Sequence, residues 1–130
     1  MMGVVSEDHR LCRTYLAALE ILARPWNGML IAVLEDGPLR FSELADRVPA
    51  IADRMLAARL KELEQRGLLN RTVEPGPPVR VSYELTEVGR GFRDVAEAVS
   101  RWGKLIVGAD EAAAAAEKKV AAAGRGRRGR

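Results

Sequence analysis

Arg54, Ala58 and Lys61 recur at intervals of four and three residues, so on a helix they share one face. A guanidinium can donate to both O6 and N7 of a guanine, and an alanine between two cations lets its methyl group meet a thymine methyl. Met55 and Arg59 flank that face. Arg59 lies nearer the apolar edge, where a phosphate or an internal carboxylate suits it better than a base. Downstream, Arg71 and Arg80 bracket Pro75-Gly76-Pro77-Pro78 and are candidates for phosphate or minor-groove contact, Arg80 the more so because it adjoins the loop. Arg40 and Ser42 stand where a short helix begins and can donate to a phosphate beside its positive end. The same residues also fit a plainer pattern. Arg54, Arg59 and Lys61 would then be a solvated face beside Glu62 and Glu64, Arg71 and Arg80 would pair with Glu74 and Glu84, and Ser42 would only start a helix.

Cys12 is the chain's single cysteine, with Arg10 and Arg13 close by. Neighbouring cations favour the thiolate and so raise the reactivity of Cys12; a small inert hydrophobe is the alternative. One thiol cannot close a disulfide within the chain, though it can bridge two copies. His9 stands alone, with no partners at metal-ligand spacing. No Gly-rich phosphate loop and no His–acid–nucleophile set is present, so an enzyme, a cofactor and a metal are not expected.

The elements that must hold these residues are legible from periodicity. Tyr15, Leu16, Leu19 and Leu22 mark a helix over 13–23, which Pro25 ends, and Pro25 can also open the next helix. That second helix is expected over 26–35 with Trp26, Met29, Leu30, Val33 and Leu34 inward, and Asp36-Gly37-Pro38 stops it. A short helix over 41–47 packs Phe41, Leu44 and Ala45. Pro49 forces a turn, and Asp53 is expected to cap a helix with Leu56, Leu60 and Leu63 as its buried stripe, closed by Gly67. Alternation over 68–73 and 79–85 predicts two strands, and three prolines between them make a stiff wing rather than a two-residue turn. Thr86 caps a long helix to about residue 107, with Phe92, Val95, Ala96, Val99, Trp102, Ile106 and Val107 on its inner faces. Asp110 is expected to open a separate Ala-rich helix that Gly124 stops.

With 48% apolar residues, 130 residues suffice for one domain with a real core. The net charge of +3 is misleading. Residues 124–130 hold four of the 21 basic residues and no acid, leaving 17 basic against 18 acidic side chains in 1–123. The sequence pI near 9.4 therefore belongs to the tail, and DNA binding has to be argued from local placement. The tail arginines would either track phosphates or form a solvated, solubilising end. No membrane span or secretory signal is expected, and one cysteine suits a reducing cytoplasm.

The stretch from Cys12 to about Trp102 resembles the HxlR-type winged helix-turn-helix transcriptional regulators. The resemblance rests on Cys12, Trp26, Asp36-Gly37-Pro38-Leu39-Arg40-Phe41-Ser42-Glu43-Leu44, Met55-Leu56 through Gly67-Leu68, and Val81-Ser82-Tyr83-Glu84-Leu85-Thr86 with Gly89. Three positions depart from the family pattern: Ala23-Arg24-Pro25 replaces Gly-Gly-Lys, Ala52 replaces a capping serine, and Arg13 follows Cys12 in place of proline. The resemblance implies a cytoplasmic bacterial homodimer on an inverted-repeat operator, dimerising through its terminal helices. Those helices carry Tyr15 and Leu19 at one end and Trp102, Leu105 and Ile106 at the other. Some members respond to electrophiles or oxidants through the N-terminal cysteine, so the resemblance also implies Cys12 as a candidate redox sensor.

The expectation is a mainly α fold with a small β-hairpin, organised as a flexible leader over 1–11, a winged helix-turn-helix domain over 12–109, an Ala-rich helix over 110–123 and a basic disordered tail over 124–130. Its partners would be double-stranded DNA, a second copy, and a candidate small-molecule or electrophile effector, with no membrane. The competing class is a dimeric interaction module that keeps the fold without specific DNA binding.

Overall fold

The computed structural model describes the backbone of residues 10–128 and the side chains of residues 13–125. The Cys12 side chain, nearly all of the expected leader and the last residues of the tail lie outside the described residues. The chain divides at Arg93 into two units.

In the first unit, α1 (Arg10–Ala23) ends before Pro25, and α2 (Asn27–Val33) continues into a 3-10 turn (Leu34–Asp36). Pro25 does not open α2. Trp26 adopts φ 77°, a left-handed conformation that a helix cannot contain, and α2 starts one residue later. The inward face of α2 is also shifted from the expected one. Asn27, Leu30, Ile31 and Leu34 are buried, whereas Met29 is half exposed. The Asn27 side-chain amide donates to the carbonyl oxygen of Ile21 at 2.9 Å, which satisfies an end of α1 and draws position 27 inward.

A two-residue strand, β1 (Leu39–Arg40), leads into α3 (Phe41–Arg47), and α4 (Asp53–Gln65) follows the Val48–Ile51 turn. Asp53 is not the cap. Ala52 occupies that position without a side-chain bond, and Asp53 is the first helical residue, where its charge favours the positive helix end. Leu56, Leu60 and Leu63 are fully buried, each contributing roughly 1.5–3 kcal/mol. The helix closes as expected. Gly67 at φ 81° lets its N–H reach the Glu64 carbonyl oxygen and the Leu68 N–H reach that of Leu63, each at 3.0 Å.

Strands β2 (Leu69–Glu74) and β3 (Arg80–Leu85) form the antiparallel hairpin, from Leu69 opposite Leu85 to Glu74 opposite Arg80. β1 pairs with the other edge of β3, Leu39 opposite Tyr83, giving the order β1-β3-β2. The expected hairpin is thus part of a three-stranded sheet. Leu39, Leu69, Tyr83 and Leu85 join Leu30, Ile31, Leu34, Leu44, Val48, Ile51 and the α4 leucines in one core.

Thr86 caps α5 (Glu87–Arg90), accepting from the Gly89 N–H at 3.1 Å and donating to the Gly67 carbonyl oxygen at 2.6 Å. The long helix expected from Thr86 is interrupted at Gly91 and resumes as α6 (Phe92–Arg128). α6 then passes through Gly108, Asp110 and Gly124 without a break, so neither the second start at Asp110 nor the stop at Gly124 is present. Alanines at 112–116 and 121–123 have the strongest helix propensity of any residue and carry the helix past both glycines. In the second unit Val95, Val99, Trp102, Leu105, Ile106 and Val107 are exposed, so the faces expected to be inner are not buried within the chain. Among the described residues no single helix is long and apolar enough to cross a membrane.

Candidate nucleic-acid interface

Burial of Leu56, Leu60 and Leu63 fixes the rotation of α4 and leaves Arg54, Met55, Ala57, Ala58, Lys61 and Gln65 exposed. Arg54 and Lys61 have no hydrogen-bond or ion-pair partner among the described residues. Methyl groups and unpaired cations alternate on this face, so it can approach a groove closely while keeping donors free.

Arg59 does not belong to that face. Its side chain is only 12% exposed, its Nε donates to the Pro25 carbonyl oxygen at 3.0 Å, and its Nη1 meets Glu62 at 3.3 Å. The other Glu62 oxygen takes Arg24 at 3.0 Å, and Arg66 at the end of α4 meets Glu20 at 3.2 Å. These bonds brace the back of α4 against the end of α1 and the turn after it. Exposed ion pairs of this kind contribute about 0–1 kcal/mol each, so the largely buried Arg59 is the firmest of these ties. A cleft of about 370 Å³ lies along the brace, lined by Glu20, Ile21, Ala23, Arg24, Glu62 and Arg66.

Arg40 and Ser42 are exposed at the start of α3, but the Arg40 backbone N–H donates to the Glu43 carboxylate at 3.0 Å. That carboxylate satisfies one of the backbone donors at the positive end of α3, where Arg40 and Ser42 were expected to meet a phosphate. In the hairpin, Arg71 faces Tyr83 across the ladder, on the sheet side that packs toward the core. It lines a second cleft of about 310 Å³ with Lys61, Glu64 and Tyr83. Arg80, favoured from sequence, sits opposite Glu74 on the other sheet face beside the proline loop. The alternative, pairing of Arg71 and Arg80 with Glu74 and Glu84, is absent among the described residues; Glu84 pairs with Arg90 at 3.7 Å instead. The ladder register is what brings Arg71 to Lys61, and alternation alone, without knowing the core face, does not give it.

The residues assigned to dimerisation are left open by the chain. Tyr15 and Leu19 on α1 are exposed, as are Trp102, Leu105 and Ile106 on α6. Trp102 retains 65% of its surface.

A model described as HxlR-like helix-turn-helix matches residues 21–111. An HTH-type transcriptional regulator of Methanothermobacter thermautotrophicus is 43% identical over 101 residues, spanning 78% of this chain and 76% of its own. The HTH-type transcriptional regulator YodB of Bacillus subtilis is 44% identical over 92 residues, spanning 71% and 82%. The structure of reduced YodB superposes with a TM-score of 0.61 at 45% identity over 66% of this chain and 84% of that one. YodB is also known in a quinone-bound form, with TM-score 0.64 at 39% identity over 72% and 99%. The redox regulator HypR in its oxidised form gives 0.64 at 34% identity over 70% and 94%. These relatives are transcriptional regulators rather than enzymes, and the family match spans most of the chain, so this chain belongs to the HxlR-like helix-turn-helix family.

Proposed function

We propose that the chain is a homodimeric regulator that binds an inverted-repeat DNA operator, with α4 in the major groove and the wing on the flanking backbone. Arg54, Met55 and Ala58 read or approach base edges, and Lys61, on the same groove-facing side of α4, takes a phosphate. Arg40, Ser42, Arg71 and Arg80 contact phosphates. Arg59 acts only by holding α4 in place. The observation that carries this reading is the division of labour on α4: the arginines at its back, Arg59 and Arg66, are paired, while Arg54 and Lys61 in front are not. The exposed apolar residues of α1 and those of α6 form the subunit contact, because apolar faces like these, each taken by itself, are rarely left to water in a monomer.

The signal enters through Cys12. YodB is known in reduced, diamide-treated and quinone-bound forms and HypR in oxidised and reduced forms, which supports a thiol-reactive or quinone-like effector here.

Selection of duplexes from a random-sequence pool by the full chain tests the reading. The expected winner is a pseudo-palindrome whose half-site centres lie about one helical turn apart. A pool that yields no enriched motif at any salt overturns it and favours an interaction module.

A further inference from the structure

Beyond the family-matched stretch, which ends at residue 111, α6 continues for seventeen residues to Arg128. At 1.5 Å per residue this adds roughly 25 Å of helix. Every described side chain from Glu111 to Arg125 is exposed. The composition of this extension is selective. Val120 is its single large apolar residue, and eight of its positions are alanine. Its one helical stripe, Ala112, Ala116, Val120 and Ala123, offers little apolar area to bury against a partner helix, and without Trp, Phe or Leu it lacks the face of a helix lying in a membrane interface.

What the extension carries is charge. Residues 118–130 hold Lys118, Lys119, Arg125, Arg127, Arg128 and Arg130 and no acid, whereas residues 1–117 carry 15 basic against 18 acidic side chains. The remainder of the chain is net negative and gains nothing from the long-range field of a polyanion. Arg125 lies eight residues beyond Glu117, the last acid, or roughly 12 Å along the helix and past a Debye length of about 8 Å at physiological salt. The helix dipole explains basic residues in a last turn, but Lys118 and Lys119 sit more than two turns before Arg128.

We infer that residues 118–130 form a DNA-backbone arm. It contacts phosphates without regard to sequence and supplies the electrostatic attraction that the rest of the chain lacks. This rests on the reading that the chain binds duplex DNA, and it is separate from the operator contacts of α4.

The test compares the full chain with two variants. One is K118Q/K119Q/R125Q/R127Q/R128Q/R130Q in the intact chain, and the other is truncated after Glu117; circular dichroism verifies that both keep their fold. Fluorescence anisotropy follows binding to a pool-selected duplex and to its scrambled counterpart from 50 to 300 mM NaCl. The expected result is that both variants lose affinity for the two duplexes by the same factor, about tenfold or more at 100 mM. The slope of log affinity against log salt should become shallower by roughly three or more, with the ratio between duplexes unchanged. An unchanged slope overturns the arm, and so does a loss confined to the selected duplex. Tighter binding of the full chain to phosphatidylglycerol vesicles than to either duplex overturns it as well. A full chain that fails to discriminate the two duplexes, yet loses slope on neutralisation, overturns the operator reading and leaves the arm standing.

Discussion

The Arg59 guanidinium donates to the carbonyl oxygen of Pro25, 34 positions earlier, at 3.0 Å. That carbonyl is available because the left-handed Trp26 breaks the helix there, so no residue four positions on claims it. With Glu62 completing the fork, the bond fixes where α4 sits relative to the α1–α2 turn. Arg59→Ala is expected to lower stability by about 1.5–3 kcal/mol, since a hydrogen-bonded charge at a largely buried position is lost. Arg59→Lys should recover little of this, because an ammonium cannot reproduce the planar fork. Urea denaturation of the three proteins checks it. A loss below about 0.5 kcal/mol in Arg59→Ala would mean that the brace is incidental.

Gly89 makes a second junction. A methyl group there would collide with the Leu68 carbonyl oxygen and come within 3.0 Å of Leu85 Cδ2. That oxygen is not free to move, because it accepts the Thr86 N–H at 3.0 Å. Alanine would otherwise favour a helical position, so the sign of the effect is informative. Gly89→Ala is expected to destabilise by about 1–3 kcal/mol, with a fall in melting temperature of several degrees. A melt at or above that of the parent refutes the close approach.

Local signals carried much of this architecture, and non-local ones explain the rest. The span 41–47, the helix from Asp53, its Leu56, Leu60 and Leu63 stripe and the Gly67 stop all follow from spacing and turn chemistry within one segment. β1 is two residues long and exists only because β3, more than forty positions later, offers it an edge. Ile31 rather than Met29 faces inward because Asn27 turns in to satisfy Ile21, and α6 runs unbroken because alanine propensity outweighs its four glycines. At the site, exposure of Arg54 and Lys61 was legible from the helical wheel. The capture of Arg59 by a distant backbone carbonyl was not, and neither was the cleft that Arg71 and Lys61 both line, which depends on the register of two strands.

The open faces of α1 and α6 predict assembly. Trp102→Glu combined with Leu105→Glu should halve the sedimentation mass from about twice 14.2 kDa to one chain. It should leave the helical circular dichroism of the monomer nearly intact, because these side chains contribute nothing to the core within one chain. A double variant that still sediments as a dimer places the contact elsewhere.

Cys12→Ser tests the switch. With the parent chain, diamide or a benzoquinone is expected to change affinity for the selected duplex, and dithiothreitol should reverse the diamide effect. The serine variant should bind that duplex normally and ignore both reagents. An unchanged response in the variant removes Cys12 from the mechanism, since it is the chain's only cysteine.

Arg54 and Lys61 share an exposed face of α4 but should fail differently. Arg54 stands near the start of the helix, where the recognition helix of this motif meets base edges, and its planar fork matches guanine. Lys61 sits two turns on, in the cleft it lines with Arg71, where a point charge suits a phosphate. Arg54→Ala is therefore expected to cost about 1–3 kcal/mol on the selected duplex and to relax preference at one position of each half-site. Lys61→Ala should weaken the selected and scrambled duplexes alike and make the salt slope shallower by about one per chain. Titrations of both variants on single-position duplex libraries separate the two behaviours. If both variants keep parental affinity, α4 is not the reading helix; if Lys61→Ala alters base preference instead, the two roles are exchanged.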